Sequence, residues 1–285
     1  MKLPPLEYAC PTTLAEAVAL LASRDGDAKA IAGGQSLMPM LAFRLATPSL
    51  LVDLRKLPDL REIKIAADGV GLGAMVRWRD IEKDARLASA HPLLKAAVAH
   101  VAHYQIRNRG TIGGSIAHAD PAAEIPGIVV TCDADIAVSG KSGSRVIPAA
   151  AFFRGALTTA LEAEEIITEI RLPLWPPRRR WGFQEFARRR GDFAMAAAAL
   201  FYDEGADGKA VNAHVGIIGV GDRPRRLPDV EAVLNGCAID EATIARAAEV
   251  ASATVDAQED IHASAPYRRA LAGTMVERAL RNARS

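Results

Sequence analysis

The chain has 285 residues, half of them hydrophobic, 24% charged and 5% aromatic, which is the composition of a folded globular protein and excludes a disordered or fibrous one. At roughly 150 residues per domain the length predicts about two domains, with a core large enough to need no covalent staples. Thirty-five Lys and Arg against 34 Asp and Glu leave a net charge of +1, so no global field draws the protein to nucleic acid or to an anionic membrane.

In chain order, residues 13–23 carry Leu14, Ala17, Val18 and Leu21 at helical spacing behind Thr12 or Thr13 as N-cap. Residues 29–32 run apolar into two glycines, predicting helix, strand and tight loop. Residues 50–54 and 69–74 read as short strands, and 91–103 as a helix leading into RNRGTIGGS. Residues 128–172 break into short β-like runs split by turns such as SGKSGS, ending at LPLWPPRRR, where Pro176, Pro177 and three arginines predict a boundary. Beyond it, 181–201 and 211–220 read as strands of another sheet. Residues 240–255, with Ile244, Ala247, Ala248 and Ala251 on one face, and 266–282, opened by Pro266, read as helices. There is no internal repeat.

The opening MKLPPLEYACPTTL lacks the apolar run of roughly 7 to 15 residues that marks a signal peptide. The longest apolar run, residues 194–202, falls far short of the roughly 18 residues of a membrane span. The expected location is therefore cytoplasmic. Cys10, Cys132 and Cys237 are odd in number, scattered and outside any CxxC pattern, which argues against a disulfide framework, a Cys-ligated zinc site or an iron–sulfur cluster in this chain.

Two segments suggest chemistry: AGGQS at 32–36 and TIGGS at 111–115. Paired glycines let backbone N–H groups approach an anion closely, and the following Ser adds a hydroxyl donor, so such a nest can hold a phosphate without Lys. Two of them could clamp a pyrophosphate from both sides. Either one alone also reads as an ordinary turn. A GxxxxGK[ST] loop and a GxGxxG at a strand-to-helix junction are both missing, and GVGLGA and GIIGVG read as strand and turn glycines.

Taken together, AGGQSLMP, LVDLRKLPDL, IRNRGTIGGSIAHADPAAE, EEIITEIRLP, RRRGDFAMAAAA and APYRRALAGTMVERAL resemble, in order and over nearly the whole chain, the FAD-binding medium subunit of the molybdenum hydroxylases. This resemblance implies an α+β fold. A two-part PCMH-type FAD-binding region at 1–175, with halves at about 1–57 and 58–175 and the flavin between them, would precede a C-terminal domain at 176–285 of antiparallel sheet plus helices. It also implies that Ala32, Gly33, Gly34, Gln35 and Ser36, with Thr111, Ile112, Gly113, Gly114 and Ser115, hold the pyrophosphate and ribityl chain of FAD. Glu124, with Asp120 as a second candidate, would contact the flavin nucleotide, and Ile167 would lie against the cofactor. Phe193 would shield the isoalloxazine where relatives often have Tyr, so no phenol hydroxyl is available. A Lys of relatives is replaced within 188–190, leaving Arg189 only a charge role.

Flavin chemistry belongs to the cofactor, and no Ser-His-Asp order, HExxH or activated Cys gives this chain catalytic residues of its own. His100 and His103 at i, i+3 lack a third ligand, so no metal site is expected. His118, directly behind the second glycine loop, reads as part of a cofactor loop. The resemblance implies molybdenum-molybdopterin on a large partner subunit, two [2Fe-2S] clusters on a small one, and a dimer of heterotrimers. In that assembly the FAD of this chain passes electrons to an external acceptor. A self-contained PCMH-type flavin oxidase and a non-enzymatic assembly subunit are the alternatives. Residues 178–190 hold six Arg and one Glu, a local +5. With Trp181, Phe183 and Phe186 interleaved, they read as a half-buried strand with a solvated or subunit-facing basic edge, not as a nucleic-acid site.

Overall fold

The computed structural model describes residues 3–284; residues 1, 2 and 285, the outer ends of the two expected regions, lie outside the described residues. The described residues form four sheets, three large ones and a two-stranded pair, Phe153–Gly155 with Thr158–Thr159. In the first, strands Glu7–Ala9 and Ala28–Ile31 flank Leu50–Asp53, all parallel. Helix Leu14–Ala22 crosses over between the first two strands in sequence and buries Ala17, Val18 and Leu21. Thr13 is its cap, accepting from the Glu16 N–H at 3.2 Å, while the Glu16 carboxylate accepts from the Thr12 N–H at 3.0 Å. The middle strand is buried on both faces, as a covered parallel strand must be, and its Asp53 carboxylate accepts from the Tyr8 hydroxyl and the Arg55 guanidinium.

The second sheet is antiparallel, in the order Ile63–Ala66, Gly69–Gly73, Ile166–Pro173, Asp135–Gly140, Gly143–Pro148. Its hairpin turns within the SGKSGS segment. The apolar cluster behind it includes buried side chains of helices Trp78–Lys83, Pro92–Val98, Ile112–His118 and Glu124–Thr131. The third sheet, Arg180–Phe186, Ala196–Glu204, Ala210–Ile218 and Arg225–Arg226, is also antiparallel. Helices Pro228–Leu234, Glu241–Thr254 and Ala265–Arg284 cover one of its faces, burying Leu271, Met275 and Leu280. The other face packs on the cluster of the second sheet. Strand Ala196–Glu204 shows the consequence: Ala197, Ala199 and Phe201 enter one core and Ala196, Ala198, Leu200 and Tyr202 the other. Small residues recur because backbone lies close on both sides. The expected α+β class is the one observed.

Four local expectations are corrected. Residues 124–131 form a helix, although 128–131 were expected to be β-like; all eight residues are buried, so no polar face betrays the 3.6-residue period. The helix expected over 91–103 stops at Val98, because Ala102 turns to positive φ and His103 starts a new four-residue turn, Tyr104–Arg107. The stretch 181–201 is two strands joined by a loop that turns at Gly191, φ 88°. In the first of them Trp181 and Phe183 face one core but Phe186 faces the other.

Candidate functional site

A cavity of about 590 Å³, within the usual range for a bound small molecule, opens where the first sheet, the second sheet and the loop at 187–195 converge. The two glycine loops meet at one end of it. The first follows strand Ala28–Ile31 and leads into helix Leu37–Ala42; the second is the start of helix Ile112–His118, capped by the Thr111 hydroxyl, which accepts from the Gly114 N–H at 3.2 Å. Gly33 lies on the backbone of Arg109 and Gly110, so close that a Cβ there would overlap the Arg109 carbonyl oxygen. Gly34 takes φ 71°, and Gln35 folds back to donate to the Gly33 carbonyl at 2.9 Å. Gly113 donates to the Ala74 carbonyl at 2.9 Å, which ties the second loop to the second sheet. Segments 75 residues apart in sequence are thus one wall.

Of the residues expected at the site, Ala32, Gly33, Gly34, Gln35, Ser36, Thr111, Gly113, Gly114, Ser115, Asp120, Glu124, Ile167 and Phe193 line this cavity. Ile112 does not: its side chain is wholly buried in the core behind the loop, pointing away because it is the first residue of a helix whose next two positions face the opening. Arg189 does not either. The loop turns with the Asp192 N–H donating to the Arg189 carbonyl, and it presents Gly191, Asp192 and Phe193 to the cavity, leaving Arg189 outside. Phe193, 61% exposed, stands at the rim. The basic segment divides between the two ends of strand Arg180–Phe186. Arg179 is bound by Asp203 at 2.8 and 2.9 Å with its guanidinium over the Phe201 ring, and Arg180 pairs with Glu204, so no continuous cationic face results.

The ionisable wall residues divide by position. The glycine loops hold no acid, whereas Asp120, Glu124, Glu162, Glu165 and Asp192 line the cavity elsewhere, together with Lys29 and His118. Asp120 is fixed by accepting from the Ala122 N–H at 2.9 Å, and Glu165 is held by Arg145. Burial pushes the Glu124 carboxyl up to about 7, reinforced by Asp120. Its ordinary value is lower, so the unfolded chain gives up this proton first. The cost of ionising it in the fold therefore grows as pH rises from about 4.5 to about 7 and is constant above that. In flavin-free protein, Glu124→Gln is expected to melt higher than the wild type by a margin that widens over that window, read from Tm against pH; a margin independent of pH overturns the assignment.

Sequence reasoning passed over Asp192 and Glu185. Glu185 continues the Trp181, Phe183 series on the face of its strand that meets the core, and an acid at that place in the alternation was the available signal. Its side chain is 4% exposed. Among the described residues, no group of three or more His, Cys, Asp or Glu is placed to hold a metal ion.

This donor set fits FAD. A pyrophosphate finds the backbone N–H groups of 33–36 from the first loop and the Thr111 and Ser115 hydroxyls from the second, whose N–H groups at 112–115 are taken by Val76, Ala74 and Thr111, with no carboxylate in either loop; a planar ring system finds Ile106, Leu157, Ile167 and Phe193. The family model for the FAD binding domain in molybdopterin dehydrogenase matches residues 4–175, and that for the CO dehydrogenase flavoprotein C-terminal domain matches 181–283. The chain belongs to this family of FAD-binding medium subunits of molybdenum hydroxylases, and it is an oxidoreductase subunit. Among its relatives, the nicotine 6-hydroxylase medium subunit of Paenarthrobacter nicotinovorans is 39% identical over 280 residues, 98% of each chain. Carbon monoxide dehydrogenase from Hydrogenophaga pseudoflava superposes with a TM-score of 0.96 at 37% identity, over 99% of this chain and 98% of that one. Quinoline 2-oxidoreductase from Pseudomonas putida 86 gives 0.94 at 40% identity, over 100% and 99%. Among the described residues no helix is long and apolar enough to cross a membrane.

Proposed function

We propose that this chain is the FAD-carrying electron-transfer subunit of a multi-subunit molybdenum hydroxylase. It accepts electrons from two [2Fe-2S] clusters of a small partner, while a large partner holds molybdenum-molybdopterin and hydroxylates the substrate. An external acceptor is then reduced at this subunit, within a cytoplasmic dimer of heterotrimers. The FAD-binding region is 1–175, with halves at 1–57 and 58–175, and 176–285 closes one side. The observation that carries the reading is the meeting of 32–36 and 111–115, neither of which holds a carboxylate, at one cavity.

The bound cofactor supplies the redox chemistry; the chain positions it and controls access. The first glycine loop would offer neutral N–H donors to the diphosphate, and the second its Thr111 and Ser115 hydroxyls. Such donors bind a dianion in a wall that carries more carboxylates than cations. Ile167 and Phe193 would lie against the ring system, and Asp120 and Glu124 would contact the flavin nucleotide. Purified full chain is expected to take up FAD stoichiometrically, with a flavin absorption spectrum, and to copurify from its source with a molybdenum-containing and an iron–sulfur subunit. Oxidase turnover without partners, or an intact complex lacking FAD, overturns the reading.

A further inference from the structure

Two of the large apolar side chains that the fold leaves exposed, Leu157 at 54% and Phe193 at 61%, line the cavity, and neither belongs to an apolar cluster of the core. Leu157 is also held in an uncommon backbone. It follows Ala156 in the turn between strands Phe153–Gly155 and Thr158–Thr159, at φ 53°. Glycine or asparagine ordinarily takes that left-handed region, because a Cβ there crowds the following carbonyl oxygen. Among the described non-glycine residues at positive φ, Leu157 alone carries a large apolar side chain. The residue thus strains its turn and adds little to the core, which points to a contact made only when the cavity is filled. Both side chains hang from one support. The Leu157 N–H donates to the Ala119 carbonyl at 3.1 Å, and the N–H of Ala194, next to Phe193, donates to the Ala122 carbonyl at 3.4 Å. Between these anchors the Ala123 N–H closes a turn on the Asp120 carbonyl at 3.1 Å, so the two attachment points stand at most about 11 Å apart. The support begins where helix Ile112–His118 ends, which fixes it relative to the second glycine loop.

We propose that Leu157 is a flavin-positioning residue, which supplies a second apolar contact, beside Phe193, to the isoalloxazine of bound FAD. This rests on the proposed function, in which Phe193 would shield that ring. The hairpin at 153–159 and the loop at 187–195 come from distant parts of the sequence, yet they bring their exposed apolar side chains to one end of helix Ile112–His118 while the second glycine loop forms its other end. Seven residues at 1.5 Å each set the two ends about 10 Å apart, so an apolar grip and an anion site share one rigid element. A flat aromatic ring held there takes both side chains out of water. The strain at Leu157 is then offset in the loaded protein and not in the empty one, because a ligand stabilises only the state that it binds.

The test compares the purified full chain with Leu157→Gly and Leu157→Met. Leu157→Gly removes the side chain and suits the left-handed backbone, so the hairpin is kept. In flavin-free protein its Tm is expected to stay within about 2 °C of the wild type, since relief of the strain opposes the greater freedom of glycine in the unfolded chain. Its affinity for FAD, by isothermal titration, is expected to fall tenfold or more. At saturating FAD the visible circular dichroism of the bound flavin is expected to change, because the ring loses a fixed contact. Leu157→Met keeps apolar bulk and is expected to recover part of the affinity. A larger fall in the flavin-free Tm shows that Leu157 packs for the fold, and it overturns the assignment. Weaker FAD binding with unchanged visible circular dichroism moves the contact away from the ring and overturns it as well. Failure of the wild-type chain to hold FAD sinks the proposed function itself. FAD held by the wild type and equally well by Leu157→Gly sinks only the role of Leu157.

Discussion

Gly33→Val is expected to weaken FAD binding about 100-fold or more while leaving the far-ultraviolet circular dichroism close to that of the wild type. A Cβ at this position would overlap the Arg109 carbonyl oxygen and stand 2.8 Å from the Arg109 carbonyl carbon and 2.9 Å from the Gly110 Cα. All three obstacles are backbone, so no rotamer change relieves them, and the two loops must separate. Each loop can persist as a turn, but the N–H groups of the first and the Thr111 and Ser115 hydroxyls of the second no longer converge on one anion. Losing two hydrogen bonds to a charged group, at about 1.5 to 3 kcal/mol each, accounts for the factor. Gly114→Ala gives the internal comparison. Its Cβ would meet the Thr111 hydroxyl at 2.9 Å, a side chain able to rotate away at the expense of one cap. A smaller loss is therefore expected there. Isothermal titration with FAD separates the two, and equal affinity in Gly33→Val and wild type removes the loops from the binding site.

The contrast between these glycines marks what the sequence could disclose. Paired glycines before a Ser announced a loop able to receive an anion, and both loops do line one cavity. That Gly33 and Gly113 serve contact between distant segments, with Gly34 taking the left-handed backbone, is a tertiary fact with no local pattern. The same holds for the elements. The cap at Thr13 and the turn in SGKSGS depend on neighbours in sequence and were legible. Helix Glu124–Thr131 was not, since burial on every side erased its period. The far wall, Leu157 to Ile167 with 191–193, comes from pieces with no shared motif, and only family resemblance put Ile167 and Phe193 beside the loops. Arg189 lies outside the cavity although Gly191, two positions on, lines it, because the loop turns between them.

The largest stability effect is expected at Gly182. This residue pairs with Leu200 in the third sheet and faces helix Ala265–Arg284, where a Cβ would overlap the Ala279 carbonyl oxygen and lie 2.7 Å from its carbon. The helix has no room to retreat. Gly273 seats it against helix Glu241–Thr254, with a Cβ there meeting the Ala248 carbonyl at 2.7 Å, and Arg281 and Arg284 bind Glu241 across the same pair. Gly182→Ala must therefore lift the helix from a face that buries Leu271, Met275 and Leu280 or distort the strand, at about 3 kcal/mol. In a chain of this size that corresponds to a fall in Tm of roughly 6 to 12 °C. Gly155→Ala is the control, because its nearest neighbour would be an Asp222 oxygen at 3.9 Å. The same methyl is accommodated there, and reduced freedom of the unfolded chain should leave stability unchanged or raised by up to about 1 kcal/mol. Differential scanning calorimetry of the two variants decides the matter. Equal melting of Gly182→Ala and wild type means that the helix does not press on the strand at this point, and the small residues of the neighbouring strand lose their stated reason.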